Sequence, residues 1–315
     1  MELSISVVIP CYRAEHSIKR TLDSVVNAGV NLKNIIVVED GVFDNTEKII
    51  TYFPGVNHIQ QKLNKGAPTA RNIGLKNTKT EFVMFLDSDD FISQDHLINL
   101  YKSGISEKAD IIFGPWRLAG EKMGEGPINY PPRISSEEWL LRWLTDDFVP
   151  TCSVLWSTDF VRKIGGWNTN LRQNDDGEIA IRGLMNTTKL AFSKKGFSTY
   201  WQHNSPYRIS KSSEAHRLHS ANIIYKQVKP WVKKFNNDKY NSSLGAFCIK
   251  QYWSAIASNA GKEEKTKWKK RALKLGYKKS GYNSKTNLWS ALIGVRLSIF
   301  LRNYIHRPLL YMKRQ

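Results

Sequence analysis

The sequence holds only three cysteines in 315 residues, Cys11, Cys152 and Cys248, and their number and spacing fit neither a disulfide framework nor a zinc site. They read as reduced packing thiols of a cytosolic protein. No stretch of about 18 uncharged apolar residues occurs, and the N-terminus enters a strand without a charged, apolar and small-residue leader, so a secreted or membrane-spanning chain is not expected. No G-x-G-x-x-G follows the first apolar run and no G-x-x-x-x-G-K-[ST] occurs, which removes the dinucleotide fingerprint and the P-loop. Acidic residues are scarce in one region. Residues 205–315 hold 4 Asp+Glu against 24 Lys+Arg, whereas residues 1–204 hold 24 against 23. The excess behind the net charge of +19 therefore lies in the last third, and a basic segment on a neutral domain suggests a second task at an anionic surface.

What is present is an alternation of apolar runs and helical periods. Leu3–Pro10, Asn34–Val38, Val56–Gln60, Glu81–Leu86 and Asp110–Gly114 read as strands. Ile18 to Gly29, Asp44–Tyr52, a segment through Arg71-Asn72, and Gln94–Ile105 read as the helices between them. This spacing makes βαβ units, a Rossmann-like α/β fold with a parallel sheet and right-handed crossovers. Polar residues collect where the strands end: Tyr12 and Glu15, Glu39 and Asp40, Lys65 and Arg71, then Asp87 and Asp89. Open α/β sheets bind ligands beyond the carboxyl ends of their strands, and two carboxylates two residues apart can hold a divalent cation. Two readings of Asp87-Ser88-Asp89-Asp90 stand side by side: a metal and nucleotide-sugar site, or a solvated turn capping the helix from Gln94.

Four segments together carry a resemblance: Val7-Val8-Ile9-Pro10-Cys11-Tyr12, Val37-Val38-Glu39-Asp40-Gly41, Asn64-Lys65-Gly66 with Ala70-Arg71-Asn72-Ile73-Gly74, and Phe85-Leu86-Asp87-Ser88-Asp89-Asp90. In order and spacing they resemble the motifs of the inverting family 2 glycosyltransferases of GT-A fold, of the bacterial surface-polysaccharide type, over roughly residues 3–205. The resemblance implies a mostly parallel central sheet flanked by helices. It also implies that Pro10, Tyr12 and Glu15 line a nucleoside pocket, with Glu39, Lys65 and Ser88 beside them. Asp40 would bond the base, Arg71 would lie over base and diphosphate, and Asp87 would hold ribose hydroxyls. Asp89 would ligate Mn or Mg, and His203, after Tyr200-Trp201-Gln202, would approach the metal or diphosphate. Arg13 stands where the family usually has Asn, Glu39 where Asp is common, and Val42-Phe43 where small hydroxylated residues are usual.

The family's acidic pair before an Arg-bearing helix is matched by Asp175-Asp176 ahead of Arg182, which implies Asp176 as catalytic base with Asp175 replacing the usual Glu. Gly165-Gly166-Trp167 resembles the turn before the acceptor site. From the residues alone, 115–133, rich in Gly and Pro, read as a loop shaping the acceptor site with Trp116 as a sugar-stacking surface, and Ser135 with Glu138 forms a capping-box pattern for a helix through Leu144.

The division expected is a glycosyltransferase domain over 1–205, with a nucleotide-sugar half (1–114) and an acceptor half (115–205), then a basic helical region over 206–315. That region reads as helices at Ser212–Phe235, Ser242–Asn259, Glu263–Leu275 and Asn287–Ile305. Lys265, Lys267, Lys269, Lys270, Arg271 and Lys274 make a basic face, and Trp289, Leu292, Val295, Ile299 and Phe300 an apolar arc, a combination suited to an anionic inner leaflet. The expected partners are a nucleoside-diphosphate sugar donor, a glycan or lipid-linked glycan acceptor and the inner face of the cell membrane. A sugar nucleotidyltransferase would want a glycine-rich, Arg-bearing loop where Cys11-Tyr12-Arg13 stands. A nucleic-acid-binding protein is opposed by the neutral first two thirds, and no nucleic-acid partner is expected.

Overall fold

β1 (Ile5–Cys11), β2 (Ile35–Asp40), β3 (Asn57–Gln61) and β4 (Phe82–Phe85) lie parallel in one sheet, with α1 (Ile18–Asn27), α2 (Thr46–Ile50) and α3 (Ala67–Asn77) between them in sequence. β1, β2 and β4 are buried along their whole length, because continuous runs of Val, Ile and Phe need cover on both faces of the sheet. The structure is a computed structural model that describes residues 3–41, 44–121, 124–145, 147–203, 214–235 and 237–276. The departure at Val42-Phe43 and the predicted helix Asn287–Ile305, with its apolar arc, lie outside the described residues.

After β4 the chain forms β5 (Phe91–Ile92), α4 (His96–Glu107), β6 (Ile111–Phe113), β7 (Trp116–Gly120), β8 (Gly124–Asn129) and α5 (Ser136–Leu144). It continues through β9 (Val154–Ser157), α6 (Thr158–Lys163), α7 (Asp175–Asn186), β10 (Leu190–Phe192) and β11 (Ser198–Gln202). The seven-stranded sheet has the order β10-β6-β9-β4-β1-β2-β3, and β9 runs antiparallel to β4 and β6, so the sheet is mostly parallel. A second, four-stranded sheet has the order β5-β11-β7-β8. Both sheets draw strands from before and after residue 115, so the two sequence halves interleave.

The segment 115–133 corrects the sequence reading. It is not a free loop but the β7–β8 hairpin of the second sheet, with Gly124 at positive φ (65°) just past the turn. Gly and Pro there punctuate strands short enough to escape the alternation test. α4 starts at His96 with Asp95 in the cap position, so Asp90 does not cap it. The capping box at α5 is formed: Ser135 N donates to Glu138 Oε2 and Glu138 N donates to Ser135 Oγ, both at 3.2 Å.

Two glycines set the spacing at the site edge. A Cβ on Gly74 of α3 would stand 2.2 Å from Val8 Cγ1, so α3 lies directly on β1. Gly41, at φ +77°, has Asn64 N where its Cβ would be, which lets the turn after β2 meet the turn before α3.

The chain divides into two compact units. One holds the described residues up to 140 and from 148 to 203. The other holds those between 141 and 147 and from 214 onward, including α8 (Glu214–Phe235), α9 (Asp238–Ala257) and α10 (Lys262–Lys274). In the second unit Trp268 of α10 is fully buried, edge-on to Tyr225 of α8 and Phe247 of α9, with its indole N–H donated to Glu264. Lys269, Lys270 and Lys274 share an exposed face with Lys262 and Leu273. Arg271 instead turns inward over the Tyr225 and Trp268 rings, Lys267 pairs with Glu264, and Lys265 is half-buried. Among the described residues no helix is long and apolar enough to cross a membrane. All three cysteines are free and buried, and burial pushes their thiols up, as packing residues require.

Candidate active site

The parallel pairing of β1 to β4 puts their carboxyl ends on one edge, where the expected acidic loop lies. Asp90 N donates to Asp87 O at 3.0 Å to close a tight turn directly after β4. Asp89 Oδ2 lies 2.8 Å from His203 Nε2, and both side chains are about a quarter exposed. Two residues 114 apart in sequence are thus brought into contact because β11 pairs with β5 immediately beyond the loop. A carboxylate and an imidazole are a donor set that suits Mn, and their close approach would let both hold one ion. Among the described residues no group of three His, Cys, Asp or Glu side chains joins into a fuller cage. A cation here would complete its coordination from substrate phosphate and water, as Mg and Mn sites of this type do.

Arg71 joins the two acidic clusters. It is 4% exposed and donates Nη2 to Asp87 Oδ1 and Nη1 to Asp175 Oδ2, each at 2.5 Å, with its guanidinium 4.3 Å above the Trp167 ring. Burial opposes its charge, but Asp87 and Asp175 raise its pKa above the ordinary value, so it stays charged. Burial raises the pKa of Asp87, with Arg71 working against the rise and Asp89 adding to it. Asp175 and Asp176 open α7, where the helix N-terminus favours carboxylates. Asp175 is held by Arg71. Asp176 accepts the N–H of Gly177 at 2.8 Å, and burial followed by the charge of Asp175 pushes its carboxyl up to about 6.

The neighbouring turn is fastened twice. Asn72 donates Nδ2 to Trp167 O and accepts from Trp167 N, each at 2.8 Å, and Arg182 donates to Gly166 O at 2.7 Å while gripping fully buried Glu178 in a bidentate pair. Trp167, expected at the acceptor surface, is 2% exposed and packs edge-on to Phe85; it supports Arg71 from behind.

Other expected residues have structural partners. Asp40 accepts from Gln61 Nε2 (3.0 Å), Lys65 N (2.7 Å) and Gly66 N (2.7 Å), leaving room for about one further donor on a carboxylate with roughly four acceptor positions. Glu39 points to the other face of β2, against His58 and Gln60. Glu15 accepts from the backbone and side chain of Asn45 at the start of α2. Pro10 lies within buried β1, Tyr12 and Lys65 are exposed at the edge, and Ser88 is half-buried in the acidic loop. Trp116 pairs with Ser198 of β11, five residues before His203, and stacks on Phe148. Sequence reasoning missed Arg20 and Thr21 of α1, which reach the acidic loop; polar residues in a helical period carry no signal that they face a site.

The profile described as Glycosyl transferase family 2 matches residues 6–164, half of the chain. The chain is 34% identical over 123 residues to TarP of Staphylococcus aureus, described as a poly(ribitol-phosphate) β-N-acetylglucosaminyltransferase, a match covering 37% of this chain and 38% of that protein. The chain spans well under half the length of the first curated relatives it matches. In fold it is similar to S. aureus TarS solved with UDP-GlcNAc, with a TM-score of 0.67 and 17% identity over 95% of this chain and 88% of that one. It is also similar to a Pyrobaculum calidifontis mannosyltransferase solved with GDP-Man and Mn2+, with a TM-score of 0.55 and 14% identity over 97% and 88%. At such identities the likeness is one of fold, the GT-A fold. With the profile spanning all four motifs and their carboxylates gathered at one sheet edge, the chain belongs to glycosyl transferase family 2.

Proposed function

We propose that this protein transfers a sugar from a nucleoside-diphosphate donor to a glycan acceptor, with inversion, in bacterial surface-polysaccharide assembly. The observation that carries the reading is the convergence of Asp87, Asp175 and Asp176 on Arg71, with the Asp89–His203 pair in the same loop as Asp87. The acceptor hydroxyl gives its proton to Asp176 as its oxygen bonds the anomeric carbon, while the bond to the diphosphate breaks and the diphosphate leaves with the electron pair. Arg71 holds Asp175, so Asp176 is the carboxylate left to act as base. Asp87 takes ribose hydroxyls on its exposed side, and the last acceptor position of Asp40 suits an N–H of the base. Asp89 and His203 would hold Mn or Mg, which when bound neutralises charge on the leaving diphosphate. The fold neighbour solved with Mn2+ supports a divalent cation, and the relatives named for poly(ribitol-phosphate) glycosyl transfer and teichoic acid biosynthesis support a polymeric acceptor. A lipid-linked acceptor at the inner face of the membrane is proposed on the basic last third of the chain.

The test is a thermal shift against nucleoside diphosphates with and without Mn2+. At a ligand concentration of about 100 Kd, stabilisation of about 2.7 kcal/mol is expected for the correct nucleotide with metal. No metal-dependent shift from any of them would refute the reading. Asp89→Ala is expected to abolish the metal-dependent shift, whereas Asp176→Ala keeps it and loses transfer; equal transfer by the Asp176 variant would place the base elsewhere.

A further inference from the structure

We infer that Arg20, a residue of α1 outside the family's motifs, is a positioning residue that sets the Asp89–His203 pair. Its Nη2 donates to the carbonyl of Asp89 at 2.7 Å, and its guanidinium lies in the corner formed by the rings of Phe91 (4.5 Å) and Trp201 (4.3 Å), whose centroids are 6.0 Å apart with a 50° tilt. Phe91 follows the acidic loop, and Trp201 precedes His203 by two residues. One planar cation therefore grips the main chain of the first ligand and the strand that delivers the second.

Neighbouring contacts close the ring. The Thr21 hydroxyl lies 2.9 Å from Ser88 O and 2.7 Å from Asp90 O, with one proton to share between them, so two adjacent residues of α1 lie against three successive carbonyls of the loop. The buried Asp90 carboxylate accepts the N–H of Trp201 at 2.8 Å, tying loop to β11 from the other side. Asp90, undecided on sequence between supporting a metal and capping a helix, is thereby an anchor for the strand that ends at His203. A guanidinium is suited to the Arg20 position because its delocalised charge packs against both aromatic rings while its fork donates to the loop; a lysine ammonium does one of these poorly. Its charge also faces Asp89 and Asp90, offsetting part of the repulsion among carboxylates crowded into one turn.

The inference rests on reading Asp89 and His203 as cation ligands, and its test separates the two. Titration calorimetry with UDP, and with GDP as second probe, is run on the full chain with Mn2+ and with EDTA, alongside metal-free melting. Arg20→Met keeps the apolar filling and is expected to leave metal-free melting and metal-free nucleotide affinity near wild type. The gain in affinity conferred by Mn2+ is expected to fall about tenfold, the scale of losing a supporting partner of a metal ligand. Arg20→Lys is expected to recover part of that gain. An undiminished Mn2+ gain in Arg20→Met overturns the inference while the site reading stands, as does a loss equal with and without metal. Absence of any Mn2+ gain in wild type overturns both. If Arg20→Met does not fold, Trp201→Phe, which removes part of the ring surface that Arg20 packs against, is read the same way.

Discussion

As the proposed base, Asp176 would have to be ionised to accept a proton, yet burial and the neighbouring Asp175 charge disfavour ionisation. Its carboxyl is therefore protonated and inactive as a base below about pH 6 and becomes competent above it. The expected outcome is a kcat/KM that rises through pH 6 and levels off. In Asp176→Asn the limb disappears and the rate falls by roughly 10²- to 10⁴-fold; a limb unchanged in that variant would assign it to another group. The same scale shows what residue type alone does not tell. Glu39, Glu15 and Trp167 were all expected at the site, and their side chains face β3, α2 and Phe85, because a strand's alternation and a turn's closure decide which neighbour each one meets.

Among the elements, β1 to β4 and β6 were legible, and β9 and the β7–β8 hairpin were not. β1, β2 and β4 are continuous apolar runs that only a doubly covered sheet accommodates, whereas β9 (Val154–Ser157) and the β7–β8 hairpin are too short or too rich in Gly and Pro to show a period. Arg71 reaches the sheet edge because α3 lies flush on β1, and Gly74 permits that contact. Gly74→Ala would drive a Cβ into fully buried Val8. A destabilisation of about 1–3 kcal/mol is expected in urea unfolding, with transfer falling along with it as Arg71 shifts. Wild-type stability in this variant would mean that α3 has slack the packing does not reveal.

For the whole molecule, the charge division is the dominant fact: a neutral motif-bearing part and a last third with 24 basic against 4 acidic residues. On α10 three of the six expected basic residues remain on an exposed face, joined by Lys262 and an exposed Leu273, while Arg271 and Lys267 serve the internal packing of that unit. At about 1 kcal/mol per basic residue near an anionic surface, even a partial face supports peripheral association, screened by salt. Vesicles of anionic phospholipid are expected to sediment with the full chain at low salt and release it in high salt, and neutral vesicles to leave it in solution. Equal partition onto both kinds would refute an electrostatic attachment.

By itself the sequence determined the α/β alternation, the parallel core, the edge on which the polar loops collect and the family, because strand burial, helical period and motif order are local properties of the chain. Tertiary structure alone decided which carboxylate meets which partner. Asp89 reaches His203 through the β5–β11 pairing, Asp87 reaches Asp175 through buried Arg71, and Arg20 reaches the acidic loop from a helix with no motif. Those contacts span 69 to 114 residues of sequence, except Arg71–Asp87 at 16, and a pairing across such distances follows from sheet order and packing, which no local pattern encodes.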